Sequence, residues 1–391
     1  MMLFHLALKN LIGAGLRTWL NVFVTALSFF MIIFISGMYD GMRKYAKQVT
    51  IDTEVAGGSY WHPEYDPLDP FTFEDAHAQP PPSIQNAIQE QQAFPVLVSQ
   101  ASIYPHGRIM PAVMKGIEPS QEIVNLPTNT LLDKTDGLIP VLIGSGMADY
   151  TKLKLGDTFM IRWLDAHQSY DADEGIIVHI METENFKVDM GTIWIPIQKA
   201  QTMLDMENEA TYVTIAKDVS LLNGTHNWIH RDIAYLMRDM EAMIEADEPG
   251  AQIMYIILLA LAGMGIFNSQ ILSIFRRRKE IGTLMAVGMT RSRVVGLFTM
   301  EGGMNAFLAL IMTIVLGGPF LIYFAIYGIP MPIDYTEMGL IMAKRLMPVY
   351  SIALLVSTTL FIAFVVLILS YLPSRRIAKM KPTDAIRGKI T

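Results

Sequence analysis

Two textures alternate along this chain. Four almost purely apolar stretches stand out: Trp19–Tyr39, Ile253–Phe275, Val294–Leu316 with an extension to Tyr327, and Tyr350–Leu372. Each reaches the ~20 residues that a helix needs to cross about 30 Å of hydrocarbon. Between the first and second lies the interval 41–250, with only short apolar runs and the size of one large domain or two small ones. Both edges of that interval carry helical periodicity. The first stretch continues into the charged segment Asp40–Gln48. At the other edge, Trp228–Asp247 spaces Ile229, Ile233, Leu236, Met240 and Ile244 along one helical face. Two helical stalks are therefore expected to join the interval to the apolar stretches.

Inside the interval the period changes to two. Ala93–Lys115 alternates around Val96, Val98, Ile103 and Tyr104, and Gly116–Pro119 reads as a turn. Residues 141–163 read as strand, helix, a turn at Gly156-Asp157, and strand. Further strands are expected at 175–184, 191–197 and 211–216, with a helix at Gln198–Met206. Trp61–Thr72 and Gln79–Pro82, rich in proline, read as loops. The expected fold is an α-helical membrane protein with four transmembrane helices plus a large α+β domain, in two lobes, between the first and second helices.

Charge gives an orientation. The chain has 391 residues, 52% hydrophobic, with a formal charge of −7. The segments 1–18, 273–297 and 373–391 hold fourteen Lys or Arg against two acids, Glu280 and Asp384, whereas 41–250 holds fourteen against thirty-one. Basic residues in short loops mark the cytoplasmic side. The expected layout is a cytoplasmic amphipathic helix at 1–18, spans at 19–40, 253–275, 294–327 and 350–372, a periplasmic domain at 41–250, a cytoplasmic segment at 276–293, a periplasmic loop at 328–349 and a cytoplasmic tail at 373–391. The first apolar stretch exceeds the 7–15-residue core usual in a signal peptide and reads as an uncleaved anchor. The absence of cysteine excludes thiolate metal sites and cysteine nucleophiles.

Catalytic chemistry is sparse. Gly144-Ser145-Gly146 lacks the Lys-Ser/Thr of a P-loop and the full nucleophile-elbow pattern, so it reads as a strand-to-helix turn. No Walker A sequence occurs, which leaves no P-loop ATP site in this chain. His62, His77, His106 and His179 are scattered, and Asp165, Asp171, Asp173 and Glu174 lack EF-hand spacing and read as a solvated acidic loop. Glu301 is different, because an ionisable residue inside a span is costly. It is read either as a structural or coupling group or as an interface-level carboxylate paired with an arginine such as Arg293. Gly302–Gly303, Gly317–Gly318 and Pro319 are read either as a close-contact and kink motif or as ordinary membrane glycines.

The segment 276–301 is basic, helix-forming and unable to cross a bilayer, since each of Arg276, Arg277, Arg278, Lys279, Arg291 and Arg293 would cost about 2.5–3.5 kcal/mol at its centre. Arg277-Arg278-Lys279-Glu280-Ile281-Gly282, then Ala286-Val287-Gly288, Arg291 and Glu301, resemble the cytoplasmic signature of the FtsX-like domain of MacB-type ABC transporter permeases, which include the lipoprotein-releasing permeases. Pro373, Arg375, Arg376, Pro382, Asp384, Ala385, Ile386 and Arg387 resemble that family's C-terminal signature. The middle of the chain is similar in pattern to the family's periplasmic domain.

The resemblance implies a permease of the bacterial inner membrane, with both termini cytoplasmic, working by mechanotransmission. It implies pairing with a second permease chain, as homo- or heterodimer. It also implies two copies of a cytoplasmic ABC ATPase, which would carry the ATP and Mg; no cofactor is expected on this chain, no nucleic-acid partner and no enzymatic activity of its own. The residues expected to meet the ATPase are Arg278, Glu280, Ile281, Gly282, Leu284, Met285, Ala286, Gly288 and Arg291. Lipoprotein release to a periplasmic carrier is the first reading of the output. Macrolide or peptide export is the second, and regulation of a periplasmic hydrolase a third. For a lipoprotein the acyl chains would leave the bilayer between spans, and Phe30, Ile33 and Phe34 with Ile257, Leu261 and Met264 are the candidate cavity residues.

Overall fold

The computed structural model describes residues 16–183, 185–276, 278–330 and 345–378. They fall into two compact units. One holds the described residues up to Met42, Ile244–Pro330 and Arg345 onward; the other holds Arg43–Met243. Residues 1–15 of the expected interfacial helix, 331–344 of the expected periplasmic loop and Pro382–Arg387 of the C-terminal signature lie outside the described residues, whereas Pro373, Arg375 and Arg376 lie in the C-terminal helix.

The first unit is helical. Helix α1 begins at Leu16 and runs to Thr50. Later come α6 (Ile233–Arg276), α7 (Arg278–Ala286), α8 (Arg291–Met312), a π-helical turn at Thr313–Gly317, α9 (Gly318–Tyr327) and α10 (Ile352–Ala378). Three of these stretches are long and apolar enough to cross a membrane among the described residues: one from Val22, one over Arg291–Tyr327 and one over Ile352–Arg375. The stretch expected as the second span is helical within α6, where the apolar run Gln252–Leu261 is shorter than a span. Val22, Ala26, Phe29 and Ile32 of α1 pack with Ala306 and Ala309 of α8 and Ile362 and Val366 of α10. Small residues let these helices approach closely, the usual device where lipid removes any hydrophobic drive between them. A Cβ on Gly303 would lie 3.1 Å from Leu367, and one on Gly263 2.9 Å from Leu369. The 347–350 segment lies on the Gly37/Gly41 face of α1. There Val349 donates to the Gly37 carbonyl at 2.9 Å, and a Cβ on Gly41 would lie 2.2 Å from the Met347 carbonyl oxygen.

The second unit is built on one nine-stranded sheet, so the two lobes expected from sequence share a single sheet. Its strands are β1 (Ser59–Trp61), β2 (Ala93–Tyr104), β3 (Met110–Ile117), β4 (Ile139–Gly144), β5 (Thr158–Leu164), β6 (Tyr170–Met181), β7 (Thr192–Pro196), β8 (Tyr212–Ile215) and β9 (Ile229–Arg231). The order is β3-β7-β4-β6-β5-β2-β8-β1-β9, and β2 also pairs with β3 from Val96↔Ile117 to Ile103↔Met110. Six strands therefore close into a ring, and β8, β1 and β9 extend it. Alternate residues feed two cores: Leu97, Ile103, Val141, Ile161 and Ile193 in one, Val96, Val98, Leu142 and Trp194 in the other. Helices α3 (Ser145–Thr151), α4 (Phe186–Asp189) and α5 (Ile197–Leu204) pack on these two cores, while α2 (Pro82–Gln89) places Ile84 and Ala87 in a third, with Tyr60, Val213 and Trp228.

Three local expectations change. Gly116 and Ile117 end β3 instead of forming a turn, because Gly116 packs so closely on α5 that a Cβ would meet Ala200 at 2.5 Å. Asp171, Asp173 and Glu174 lie in β6, not in a loop, with β5 alongside (Trp163↔Asp171, Ile161↔Asp173). The stalk predicted over Trp228–Asp247 begins as a strand: Ile229–Arg231 pairs with β1, and the helix starts after Asp232, whose carboxylate accepts the Tyr235 N–H at 2.8 Å.

Candidate functional site

Three places carry the expected site residues or their supports. The first is where α1 enters the sheet domain. The stalks lie side by side, with Lys47 paired to Glu241 and the Thr50 hydroxyl 3.4 Å from the Met240 sulfur. α1 then opens into a π-helical turn, Ile51–Val55, and ends at Ala56 with φ +48. Three separate segments, around Asn125, Asn185 and Ile215–Lys217, hold that turn. The Asp52 carbonyl accepts the Asn125 N–H at 2.7 Å, and the Asp52 carboxylate takes Lys217 at 2.7 Å. Fully buried Asn185 donates to the Thr53 hydroxyl at 3.0 Å and to Glu54 at 3.4 Å, and Gly57 donates to the Ile215 carbonyl at 2.9 Å. Sequence reading missed Asn185, because its role depends on a contact 132 residues away in the chain.

The second place is the basic segment. α7 folds back against the start of α8, since Met285 and Met289 pack on Val294 and Phe298. The turn between the helices is tight. Val287 donates to the Thr283 carbonyl, Gly288 to the Met285 carbonyl, and Gly288 adopts φ +101, a conformation that L side chains rarely adopt. Glu280, Ala286, Gly288 and Arg291 are exposed, Gly282 is buried and Met285 is half-buried against α8. The side chains of Arg278, Ile281 and Leu284 lie outside the described residues. The most exposed apolar group of the turn is Val287, at 82%, which periodicity did not single out because it sits in a turn.

The third place is inside the spans. Glu301 is 8% exposed on α8, and Ser370 and Ser374 of α10 are also buried. The Gly303–Leu367 approach brings Glu301 and Ser370 to about the same depth on neighbouring helices. Of the cavity candidates, Ile33 is buried, while Phe30 and Phe34 stack at 5.8 Å and Phe34 meets Phe324 edge-on at 5.6 Å. Phe30 also lines a hollow between α1 and the π turn that follows α8. Ile257, Leu261 and Met264 are exposed on α6 and do not line that hollow. Among the described residues no cluster of three or more His, Asp or Glu could hold a metal.

Ser145 and Gly146 meet a buried carboxylate from α4. Asp189 accepts the Gly146 N–H at 2.7 Å and the Ser145 hydroxyl at 3.3 Å. This pairing closes the start of α3, in keeping with the structural turn expected there. Burial pushes the Asp189 carboxyl above the ordinary carboxylate range, against the opposing pull of those hydrogen bonds.

Comparison with known proteins converges with this geometry. Residues 252–382 match the FtsX-like permease C-terminal family. Over 336 residues the chain is 21% identical to the lipoprotein-releasing system transmembrane protein LolC of Neisseria meningitidis serogroup B, covering 75% of this chain and 77% of that protein. Over 217 residues it is 21% identical to the macrolide export ATP-binding/permease protein MacB 2 of Yersinia pestis bv. Antiqua, covering 56% of this chain and 30% of the relative. An uncharacterized ABC transporter permease of Methanocaldococcus jannaschii is 31% identical over 133 residues, 34% of this chain and 31% of its own. The crystal structure of the extracellular domain of the noncanonic ABC-type transporter YknZ from Gram-positive bacteria aligns with 42% of this chain and 84% of its own, at 13% identity and a TM-score of 0.27. The chain thus carries an FtsX-like permease domain, and its relatives are ABC transporter permeases of the LolC and MacB kind; it is a membrane protein.

Proposed function

We propose that this chain is the permease of an inner-membrane ABC transporter that releases lipoproteins from the bilayer. The observation that carries the reading is length: the match to the lipoprotein-releasing relative runs through most of both chains, whereas the macrolide-export relatives are matched over less than a third of their length. In this reading four spans cross the membrane, α6 supplying the second, with both termini and α7 in the cytoplasm and the sheet domain in the periplasm. Two permease chains pair, each above one copy of a separate ATPase that holds ATP and Mg. ATP binding draws the ATPases together and displaces α7 and the Gly288 turn. The spans carry that movement to the stalks, and the pinned π turn at Ile51–Val55 delivers it to the sheet. The basic residues flanking α7 hold the membrane surface at about 1 kcal/mol each near anionic lipid.

A photo-crosslinking residue at Phe34 or Leu261 in cells tests the substrate. Capture of an acylated lipoprotein supports the reading. Capture of soluble peptide or drug by the sheet domain, with no lipoprotein at either position, replaces it with export, and stable association with a cell-wall hydrolase without transport replaces it with regulation.

A further inference from the structure

The hollow beside Phe30 is built rather than incidental. Phe23, Ala26, Leu27 and Phe30 of α1 form one wall; Met312, Thr313, Leu316, Gly317 and Phe320 form the other. The π turn Thr313–Gly317 widens the helix at this level. Gly317 lets the first span in, since a Cβ there would lie 2.7 Å from the Phe30 ring, and Phe30 is backed in turn by Phe34 and Phe324. The space measures about 180 Å³. An apolar cavity of about 150 Å³ is enough to take up a small hydrocarbon.

Its one polar side chain is already engaged: the single Thr313 O–H is shared between the carbonyls of Ala26 and Ala309, both 2.9 Å away. The rim residues Phe23, Leu27, Leu316 and Phe320 are all about half exposed. Both walls belong to apolar stretches long enough to cross a membrane, so what reaches the rim there is hydrocarbon, not water. We propose that this hollow is a specific acyl-chain site, occupied by one chain of a bilayer glycerophospholipid wedged between the first and third spans. The lipid fills the gap that the π turn opens and links the bilayer to the position of α1. The proposal needs only the membrane placement of these helices and stands apart from the lipoprotein reading.

The test is reconstitution of the full permease, with its ATPase, into vesicles of phosphatidylethanolamine doped with the same lipid bearing a diazirine in one acyl chain. After photolysis, adducts are mapped by mass spectrometry. Peptides holding Leu27 and Leu316 are expected to be labelled at least several-fold more than the peptide holding Leu360 and Phe364, which are at least as exposed on α10 but do not line this hollow. Leu27→Trp and Leu316→Trp, each at an exposed rim position, are expected to remove that excess while leaving α10 labelling unchanged. Equal labelling of hollow and α10 would mean ordinary lipid contact and overturn the site. Excess labelling that survives both substitutions would also overturn it, as would capture of the second permease chain by a photo-crosslinking residue at Leu316. Loss of transport with labelling intact would leave the lipid site standing and count against the proposed function alone.

Discussion

The hydroxyl of Thr313 reaches from the π turn after α8 to α1, where it lies 2.9 Å from the Ala26 carbonyl, and shares its proton with the Ala309 carbonyl of its own helix. Because the second bond survives separation of the helices, the interhelical one contributes modestly. Thr313→Val should lower unfolding stability in mixed micelles by about 0.6 kcal/mol, and by no more than about 1.7 kcal/mol. A larger loss would mean that the π turn itself depends on this hydroxyl.

Glycines in the helical unit are unequal. Gly41 faces the Met347 carbonyl, whereas a Cβ on Gly296 meets nothing within 4 Å. Gly41→Ala should therefore reduce the folded yield strongly, since rigid backbone stands in the way, while Gly296→Ala should be neutral or slightly stabilising through helix propensity, by about 1 kcal/mol at most. Size-exclusion profiles and thermal melts in detergent separate the two; equal behaviour would contradict the packing of 347–350 on α1.

The turn after α7 rests on Gly288 at φ +101, so any L residue there is strained. Gly288→Trp should leave membrane insertion intact and uncouple ATP hydrolysis from transport, which parallel ATPase and release assays would read. Transport at the normal rate would reduce the segment to a solvated basic turn.

Asp189 carries a signed pH dependence. Its folded pKa is raised by burial, so its contribution to stability is fully present below the ordinary carboxylate value of about 3.9 and is lost as pH rises through the folded value. Asn keeps the acceptor for the Gly146 N–H without the charge. The melting temperature of Asp189→Asn relative to the natural chain should therefore rise between pH 4 and 7. A difference that stays flat would show that the carboxylate is better solvated than its surroundings indicate.

The proposed orientation is directly measurable, because the chain has no cysteine. A cysteine replacing exposed Ser169 should react with an impermeant thiol reagent in spheroplasts, and one replacing exposed Ser292 should not. The opposite pattern would invert the layout.

Legibility in the sequence followed the range of the interaction involved. The apolar stretches, the α1 continuation past Asp40 and the strand–helix–strand unit at 139–164 were readable, because each is written in local periodicity. Ile229–Arg231 was misread as helix. Three residues cannot reveal a strand whose identity comes from pairing with Ser59–Trp61, and Ile229 with Ile233 also fits helical spacing. The closure of β2 on both β3 and β5 was invisible for the same reason. At the candidate site, the signature residues around Gly288 could be named in advance. The contact of Asn185 with Thr53 and the hollow against Gly317 could not, since each joins positions far apart in the chain.

The π turn at Thr313–Gly317 also sets the phase of everything after it. One surplus residue in a helix of 3.6 residues per turn rotates the following segment by about 100° about its axis. Phe324 meets Phe34, and Leu321 turns inward, only with that rotation in place. The Gly317-Gly318-Pro319 stretch is thus constrained in length as well as by the bare Gly317 against Phe30: removing one residue would swing α9 by about 100° and present a different side to α1.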